Sequence, residues 1–194
     1  MYAEAYMCMR ADANANRDHY TERMARREPQ RKAGNGPGVV LRPDGLRHLS
    51  KDRARAFLGL LRAGEGLERR LNAELEAAHG ISLRAFEVLL FLAVFAPEGH
   101  LRMAELTEQA PLSQSRVSRL VAELESRKLV ERVAAEEDGR GVKVRITPAG
   151  IEKFKAAQET HLGGLQQRLF TCLSEAEIAQ LASITEKIVK ASEG

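Results

Sequence analysis

Several residue types that often carry function are scarce in this chain. Its 194 residues include no tryptophan and only two cysteines, Cys8 and Cys172. Two cysteines so far apart form no disulfide framework, and such usage is typical of a reducing compartment. The longest apolar run, Val88 to Ala96, is too short to span a bilayer, and the N-terminus lacks the apolar segment of a signal peptide. We therefore expect a cytoplasmic protein with no membrane partner.

Motifs of common catalytic and metal sites are also missing. The five histidines show neither a two-histidine helical zinc motif nor a Cys-x-x-Cys pair. The chain has no phosphate-binding loop, nucleophile elbow or dinucleotide fingerprint. We predict that the protein is not an enzyme and that it has no metal site and no cofactor.

Positive charge is concentrated near the N-terminus. Residues 1–51 contain 10 Lys or Arg against 6 Asp or Glu, a net charge of +4, whereas the remainder contains 20 against 21. A basic cluster (residues 23–32) precedes a Gly/Pro-containing linker, Ala33 to Gly38. We assign residues 1–45 to an N-terminal extension. It is either an arm that adds nonspecific phosphate contacts or a solvated tail without a role.

Two helices joined by a short turn are predicted between residues 103 and 126. The first covers Met103 to Gln109 and is closed by Pro111. Ser113 is a suitable N-cap for the second, because its hydroxyl can accept from a free backbone N–H of the first turn. That second helix should continue to about Ser126.

The two faces of this second helix have different chemistry. One face is an apolar stripe at helical spacing, formed by Val117, Leu120, Val121 and Leu124. The other face presents hydroxyl, amide and guanidinium groups. A major groove accepts one helix, and there Arg binds guanine while Ser and Gln suit base edges or phosphates. The candidate DNA contacts in this segment are Ser113, Gln114, Ser115, Arg116, Ser118 and Arg119.

A β-hairpin is predicted to follow. Leu129 to Val133 and Val142 to Ile146 are β-favouring runs separated by a charged segment that contains glycine. The second run alternates apolar and basic residues, as a strand with one buried face does. At the tip, Arg140 lies between two glycines and can enter a narrow minor groove, where Asp138 could orient it. These two residues complete the candidate DNA contacts.

Four further helices are predicted around this region. The first core helix ends at Gly80, and a nearly all-apolar helix starts at Ser82 and ends at Pro97. Pro148 opens a long helix whose inward residues are expected to be Ile151, Phe154, Leu162, Leu165 and Leu169. Ser174 begins the final helix. A two-fold dimer would bury the stripes of the last two helices together with the first core helix.

In order and spacing, these residues resemble the winged-helix core of the multiple antibiotic resistance regulator (MarR) family. The resemblance is carried by Leu106, by the runs Leu112 to Val121 and Leu124 to Arg132, by Asp138-Gly139-Arg140, and by Ile146 to Gly150. Two positions differ from the family pattern. Lys128 stands where a glycine is common, and Gly139 where an arginine is common. We expect the first difference to leave the helix end less sharply capped, and the second to remove one possible phosphate contact.

The resemblance implies a mainly α fold with a small β-hairpin wing. Residues 46–194 would form the domain, with the winged helix at about 98–148 and dimerisation helices at about 46–80 and 148–191. It implies a homodimer that presents two recognition helices to a pseudo-palindromic operator in double-stranded DNA. It also implies a small-molecule effector bound between the dimer helices and the winged lobe. We expect a ligand-responsive transcriptional repressor, although no motif assigns pocket residues, and Arg84 is only a place to look.

Two alternatives remain open. Some winged helices bind only protein, so the basic face could serve an interaction module with no operator of its own. A redox-responsive regulator is the other alternative. Peroxide-sensing members of the family carry a cysteine near the start of the first core helix, where this chain has Arg53 to Phe57. Cys172 lies elsewhere, and we expect burial to keep its thiol inert.

Overall fold

The computed structural model describes residues 38–110, 112–134 and 142–192. Its elements in chain order are β1 (Val39–Leu41), β2 (Arg47–Leu49), α1 (Lys51–His79), α2 (Leu83–Leu90), β3 (His100–Arg102), α3 (Met103–Gln109), α4 (Gln114–Ser126), β4 (Val130–Ala134), β5 (Val142–Ile146), α5 (Pro148–Leu165) and α6 (Glu175–Ser192). π-Helical turns continue α2 over Phe91–Phe95 and α5 over Gln166–Phe170. The basic cluster (residues 23–32), Asp138 and Arg140 lie outside the described residues. The mainly helical chain with small antiparallel sheets confirms the predicted fold class.

A short N-terminal hairpin was not predicted. β1 and β2 pair antiparallel, with Val39 opposite Leu49. In the turn, the N–H of Gly45 donates to the carbonyl of Arg42 at 3.0 Å, and Gly45 has a φ of 84°. The Pro-Asp-Gly sequence that forms this turn is a recognised signal, since each residue suits its turn position. The expected boundary between residues 45 and 46 falls at this hairpin's turn.

The described residues divide into two compact units: one lies within 67–174, and the other combines residues 38–66 with 175–192. In the second unit, the described residues expose many large apolar side chains. On the N-terminal half of α1 these are Phe57, Leu58, Leu60 and Leu61, and on α6 they are Ile184, Ile188 and Val189. An exposed apolar surface of this extent marks an interaction site more often than a solvated one.

The unit Leu67–Ser174 contains a tightly packed apolar core. α2 contributes Phe86 and Leu89, both almost fully buried, and the sheet contributes Val144. The ring of Phe86 stacks on that of Phe154 with centroids 5.5 Å apart. Because α2 is apolar on nearly all sides, it can pack against α4 and α5 together.

The wing sheet has three strands, not the two that were expected. The strand order is β3-β5-β4, and β3 pairs with β5 through Leu101 opposite Val144. β3 has only three residues, so its alternation is too short to be distinguished in the sequence. β4 covers Val130–Ala134, one residue later than expected, whereas α3, α4 and β5 have the predicted bounds.

The buried face of α5 agrees only in part with the expected one. Ile151 and Leu162 are 37% and 41% exposed, and the buried residues are Gly150, Phe154, Ala157 and Gly164. Three of these four are small and recur every seven residues, so they lie on one side of the helix. Small side chains allow the helix backbone to approach its neighbours closely. Phe154 is buried as expected and Leu165 is partly buried against the core, but the hydrophobicity pattern does not reveal the small residues of this face.

Neither a metal cluster nor a single membrane-spanning helix is found in the part of the chain that the structure describes. There, no three His, Cys, Asp or Glu side chains lie close enough to hold a metal ion. No single helix in these ranges is both long and apolar enough to cross a bilayer, although α1 and the helix Leu83–Phe95 meet those criteria together as a bent pair.

Candidate nucleic-acid interface

α4, the predicted recognition helix, buries one face and exposes a polar, basic one. Val117, Val121 and Leu124 are fully buried, as the apolar stripe predicts, and Leu120 is partly buried. The exposed residues include all six candidate contacts in this segment: Ser113, Gln114, Ser115, Arg116, Ser118 and Arg119. The structure thus brings these six residues together on the N-terminal half of α4.

The N-cap of α4 forms in a different way from the one expected. Ser113 has extended backbone angles (φ −67°, ψ 150°), and its carbonyl accepts from the N–H groups of Arg116 and Val117 at 2.9 and 3.1 Å. Its hydroxyl makes no capping bond, however, and lies 3.2 Å from the hydroxyl of Ser115. The position of the helix start is confirmed, but the predicted side-chain cap is wrong. Two hydroxyls and the first N–H groups of the helix therefore face outward.

The N-terminal end of α4 favours anions. Helix N-termini carry a partial positive charge and free N–H groups, which bind phosphates. The first turn of α4 contains no acidic residue, and Arg116 and Arg119 add two cations. The Nε of Arg119 donates to the carbonyl of Ser115 at 3.4 Å, so this side chain lies along the exposed surface. The N-terminal end of α4 and the side chains of Arg116 and Arg119 are therefore all positive.

The C-terminal end of α4 is fully capped, contrary to expectation. Lys128 adopts a left-handed φ of 60°, and its N–H donates to the carbonyl of Glu125 at 2.8 Å. The N–H of Leu129 donates to the carbonyl of Leu124 at 2.9 Å. These two bonds are those of a Schellman motif, which usually has glycine at the left-handed position. The helix end is sharp even though a lysine occupies that position.

Thr147 ties the start of α5 to the segment that follows α4. Its hydroxyl accepts from the N–H of Gly150 at 3.0 Å, and it also lies 2.8 Å from the carbonyl of Lys128, to which it can donate. A Cβ at Gly150 would lie 2.0 Å from the carbonyl oxygen of Leu129. Only glycine allows this close packing, which explains the glycine that ends the run Ile146 to Gly150.

A groove of about 500 Å³ lies beside the recognition helix. It is lined by Glu68, Ser82, Arg84, Leu112, Arg116, Arg119, Leu120 and Glu123. Arg84 donates to Glu68 at 2.7 Å and to both carboxylate oxygens of Glu87 at 2.8 and 3.0 Å. Burial lowers the pKa of Arg84, but hydrogen bonds and charges of Glu87 and Glu68 outweigh it and raise the pKa above its ordinary value. This network was not predicted.

His161 is a partly buried titratable group that packs against the core residue Phe86. Its ring lies 4.7 Å from that of Phe86, measured between centroids. Burial lowers the pKa of His161 below its ordinary value, because desolvation disfavours the charged form. Its Nδ1 is buried and has no hydrogen-bond partner among the described residues. Its surroundings therefore favour the neutral ring over the charged one.

Cys172 was expected to be buried, but it is exposed. It lies just after the π-helical turn that ends α5, where the chain turns away from the core. Its thiol is 3.2 Å from the carbonyl of Leu169, to which it donates. The apolar neighbours Phe170 and Leu173, both partly exposed, do not enclose it.

The comparisons with known proteins agree with this architecture. The family model described as MarR family matches residues 79–141. The HTH-type transcriptional repressor MdtR of Bacillus subtilis (strain 168) is 31% identical over 108 residues, which are 54% of this chain and 67% of MdtR. Sco3205 of Streptomyces coelicolor, a MarR family transcriptional regulator solved in complex with DNA, is 27% identical, with a TM-score of 0.71 over 75% of this chain and 91% of its own.

A further solved structure supports the fold. AbsC, also a MarR family transcriptional regulator from Streptomyces coelicolor, has a TM-score of 0.72 and 23% identity, covering 77% of this chain and 99% of its own. These similar proteins are transcriptional regulators and not enzymes. The motif order, the winged-helix architecture and these likenesses have one explanation: the chain belongs to the MarR family of transcriptional regulators.

Proposed function

We propose that this regulator binds a pseudo-palindromic operator in double-stranded DNA as a homodimer, and that it represses transcription until a small molecule releases it. The observation that carries the proposal is the exposed basic N-terminal half of α4 above a fully buried opposite face. Sco3205 was solved with DNA and MdtR is named a repressor, which supports the same function here.

Base readout is assigned to the recognition helix. Arg119 and Arg116 can each reach a guanine in the major groove, and the Ser113 and Ser115 hydroxyls suit phosphates or base edges. From the predicted wing tip, Arg140 would contact the minor groove, with Asp138 orienting it. Gln114 and Ser118 complete the proposed contacts.

Dimerisation is supported by the exposed apolar residues of α1 and α6. Large side chains such as Phe57 and Ile184, both 53% exposed, are costly to leave in water. A second copy of the chain would cover them. Ile184→Glu should shift the protein towards monomer in sedimentation velocity, because a buried unpaired charge opposes association. The control Gln180→Glu, on an exposed position of the same helix, should stay dimeric.

The groove beside Arg84 is the proposed effector site. Its volume falls within the usual range for small-molecule pockets. An anionic molecule could compete with Glu68 and Glu87 for the guanidinium of Arg84, and its binding would act on α4 through Arg116. A panel of small carboxylic acids can be screened for release of bound DNA. The assignment fails if acids that release the parent protein release Arg84→Gln equally well.

Selection of bound sequences from a random DNA pool at near-physiological salt tests the core of the proposal, because nonspecific binding is then suppressed. We expect enrichment of a pseudo-palindrome with half-sites about 10 bp apart. Arg119→Ala should cost about 1–3 kcal/mol and relax discrimination at one position. The charge-matched control is Arg69→Ala, at an exposed position of α1 outside the recognition helix. No enrichment with an intact dimer would favour the protein-interaction alternative.

A further inference from the structure

An ion pair that was not predicted joins the recognition helix to β4 of the wing. The Nη1 of Arg132 in β4 donates to Oε2 of Glu125 in α4 at 2.5 Å. The backbone N–H of Arg132 donates to the other carboxylate oxygen, Oε1, at 3.1 Å. The two side chains are 32% and 36% exposed. Both oxygens of one helix carboxylate are therefore bound to one residue of the wing.

The backbone N–H that Glu125 binds belongs to the edge of the sheet. The strand order β3-β5-β4 leaves β4 with one free side. In an antiparallel pair, successive N–H groups point alternately towards the partner strand and away from it. The N–H of Arg132 is one that points away, and it would otherwise be left to water. Glu125 thus holds the backbone of the strand and not only a flexible side chain.

The same guanidinium also reaches the middle of the recognition helix. The Nη2 of Arg132 donates to the carbonyl of Ser118 at 3.4 Å. Ser118 and Glu125 are seven residues apart, which is about two turns of α-helix. Arg132 therefore contacts α4 at two positions about two turns apart, Ser118 and Glu125. Ser118 is itself one of the residues proposed to contact DNA.

The tight turn after α4 joins the helix to β4 at one point only, and it cannot replace the contacts that Arg132 makes with α4. Its backbone bonds, from Lys128 to Glu125 and from Leu129 to Leu124, fix the point at which the chain reverses. Pairing with β5 holds β4 within the sheet, but neither that pairing nor the turn joins the strand to the middle of α4. Contacts made by Arg132, two residues into β4, make that connection.

We propose that Glu125 and Arg132 are positioning residues that set the direction of the wing relative to the recognition helix. The wing and α4 can then meet one DNA duplex together without reordering on binding. This inference rests on the proposed function, because a fixed direction matters only if both parts contact the same DNA. Half-burial keeps the pair partly shielded from screening by salt.

The first test measures wing direction in the free protein. Nitroxide labels at the exposed positions Ala122 and Ala134 report the distance between helix and wing by pulsed electron paramagnetic resonance. The labelled chain has both native cysteines replaced by serine and is diluted with unlabelled chain. Glu125→Ala should broaden or shift the distance distribution. Glu125→Gln, which keeps an acceptor for the backbone N–H, should have an intermediate effect.

A matched control is present within the same sheet. Glu131 accepts from Arg145 at 2.8 Å, and this pair links β4 to β5 without touching α4. Glu131→Ala should leave the distance distribution of the parent unchanged. Urea unfolding of both variants shows whether each is folded before its distances are compared. A distribution in Glu125→Ala that equals the parent's would overturn the proposal.

The second test separates positioning from the proposed function. With the selected DNA duplex, Glu125→Ala should weaken binding about fivefold, the upper range for a partly exposed ion pair, whereas Glu131→Ala should not. If the parent itself prefers no sequence, the proposed function fails, while the distance measurement still decides whether the pair positions the wing. If the parent binds and Glu125→Ala binds equally well, the positioning role is wrong.

Discussion

Replacing Lys128 with glycine should stabilise the protein. Lys128 has a φ of 60° at the left-handed position that ends α4, and its side chain is exposed. A residue with a Cβ pays roughly 1–2 kcal/mol for this conformation, whereas glycine adopts it without strain. Glycine also loses more backbone entropy on folding, at a cost of about 0.5–1 kcal/mol. The difference leaves a net stabilisation of about 0.5–1 kcal/mol for Lys128→Gly.

Urea denaturation followed by circular dichroism measures this gain. The free energy of unfolding falls with urea concentration at a slope of roughly 2 kcal/mol/M. The urea concentration at the unfolding midpoint should therefore rise by about 0.2–0.5 M, while the slope stays constant. Parent and variant must be compared at one protein concentration, because dimerisation makes apparent stability concentration-dependent. The two Schellman bonds, from Lys128 and Leu129, use backbone atoms and should persist in the variant.

Lys128→Ala is the control for this reasoning. Alanine removes the charge and the long side chain but keeps the Cβ that causes the strain. Its stability should therefore lie within about 0.5 kcal/mol of the parent, as for most exposed substitutions. If Lys128→Ala gains as much as Lys128→Gly, charge and not backbone strain is responsible. If neither gains, the left-handed position is not strained and the argument fails.

Two further substitutions test packing and burial in the unit Leu67–Ser174. Gly150→Ala should lower the free energy of unfolding by about 1–3 kcal/mol, because the new Cβ would lie 2.0 Å from the carbonyl of Leu129. Gly163→Ala, where a Cβ meets nothing within 4 Å, should instead be neutral or stabilising, and equal losses would refute the packing argument. The lowered pKa of His161 means that the unfolded chain binds a proton more readily, so this stability contribution is present above pH 6.5 and lost as the pH falls below it. His161→Phe should reduce the difference in unfolding free energy between pH 7.5 and pH 5.5, and an unchanged difference would exclude His161 as its source.

The recognition helix could be predicted from sequence because its determinants are local. The apolar spacing of Val117, Val121 and Leu124 specifies the buried face of α4. The polar and basic side chains on the opposite side of the helix must then face outward. Ser113 marked the start of the helix correctly even though its hydroxyl does not cap it. Backbone conformation at the cap position decides where the helix begins, and hydrogen bonding of the side chain is a separate event.

Features that depend on contacts between distant segments could not be predicted in this way. β3 is a strand only because Leu101 lies opposite Val144, and its three residues carry no periodicity of their own. The face of α5 is set by close approach at Gly150 and Gly164, which a hydrophobicity pattern does not register. The N-terminal hairpin is different, since its Pro-Asp-Gly turn is a local signal that the sequence itself contains.

The distribution of charge explains why single contacts should matter to DNA binding. Beyond residue 51 the chain has 20 basic and 21 acidic residues, so its body offers no general attraction to a polyanion. On α4 itself, Arg116 and Arg119 lie in the N-terminal half, and the acids Glu123 and Glu125 lie in the C-terminal half. Within α4, attraction is thus confined to the N-terminal end, where side chains and helix dipole act together. Removing one arginine there takes away a large share of the local positive charge. The same substitution on a uniformly basic surface would be compensated by its neighbours, so the effect of Arg119→Ala measured against Arg69→Ala reports directly on how local the interface is.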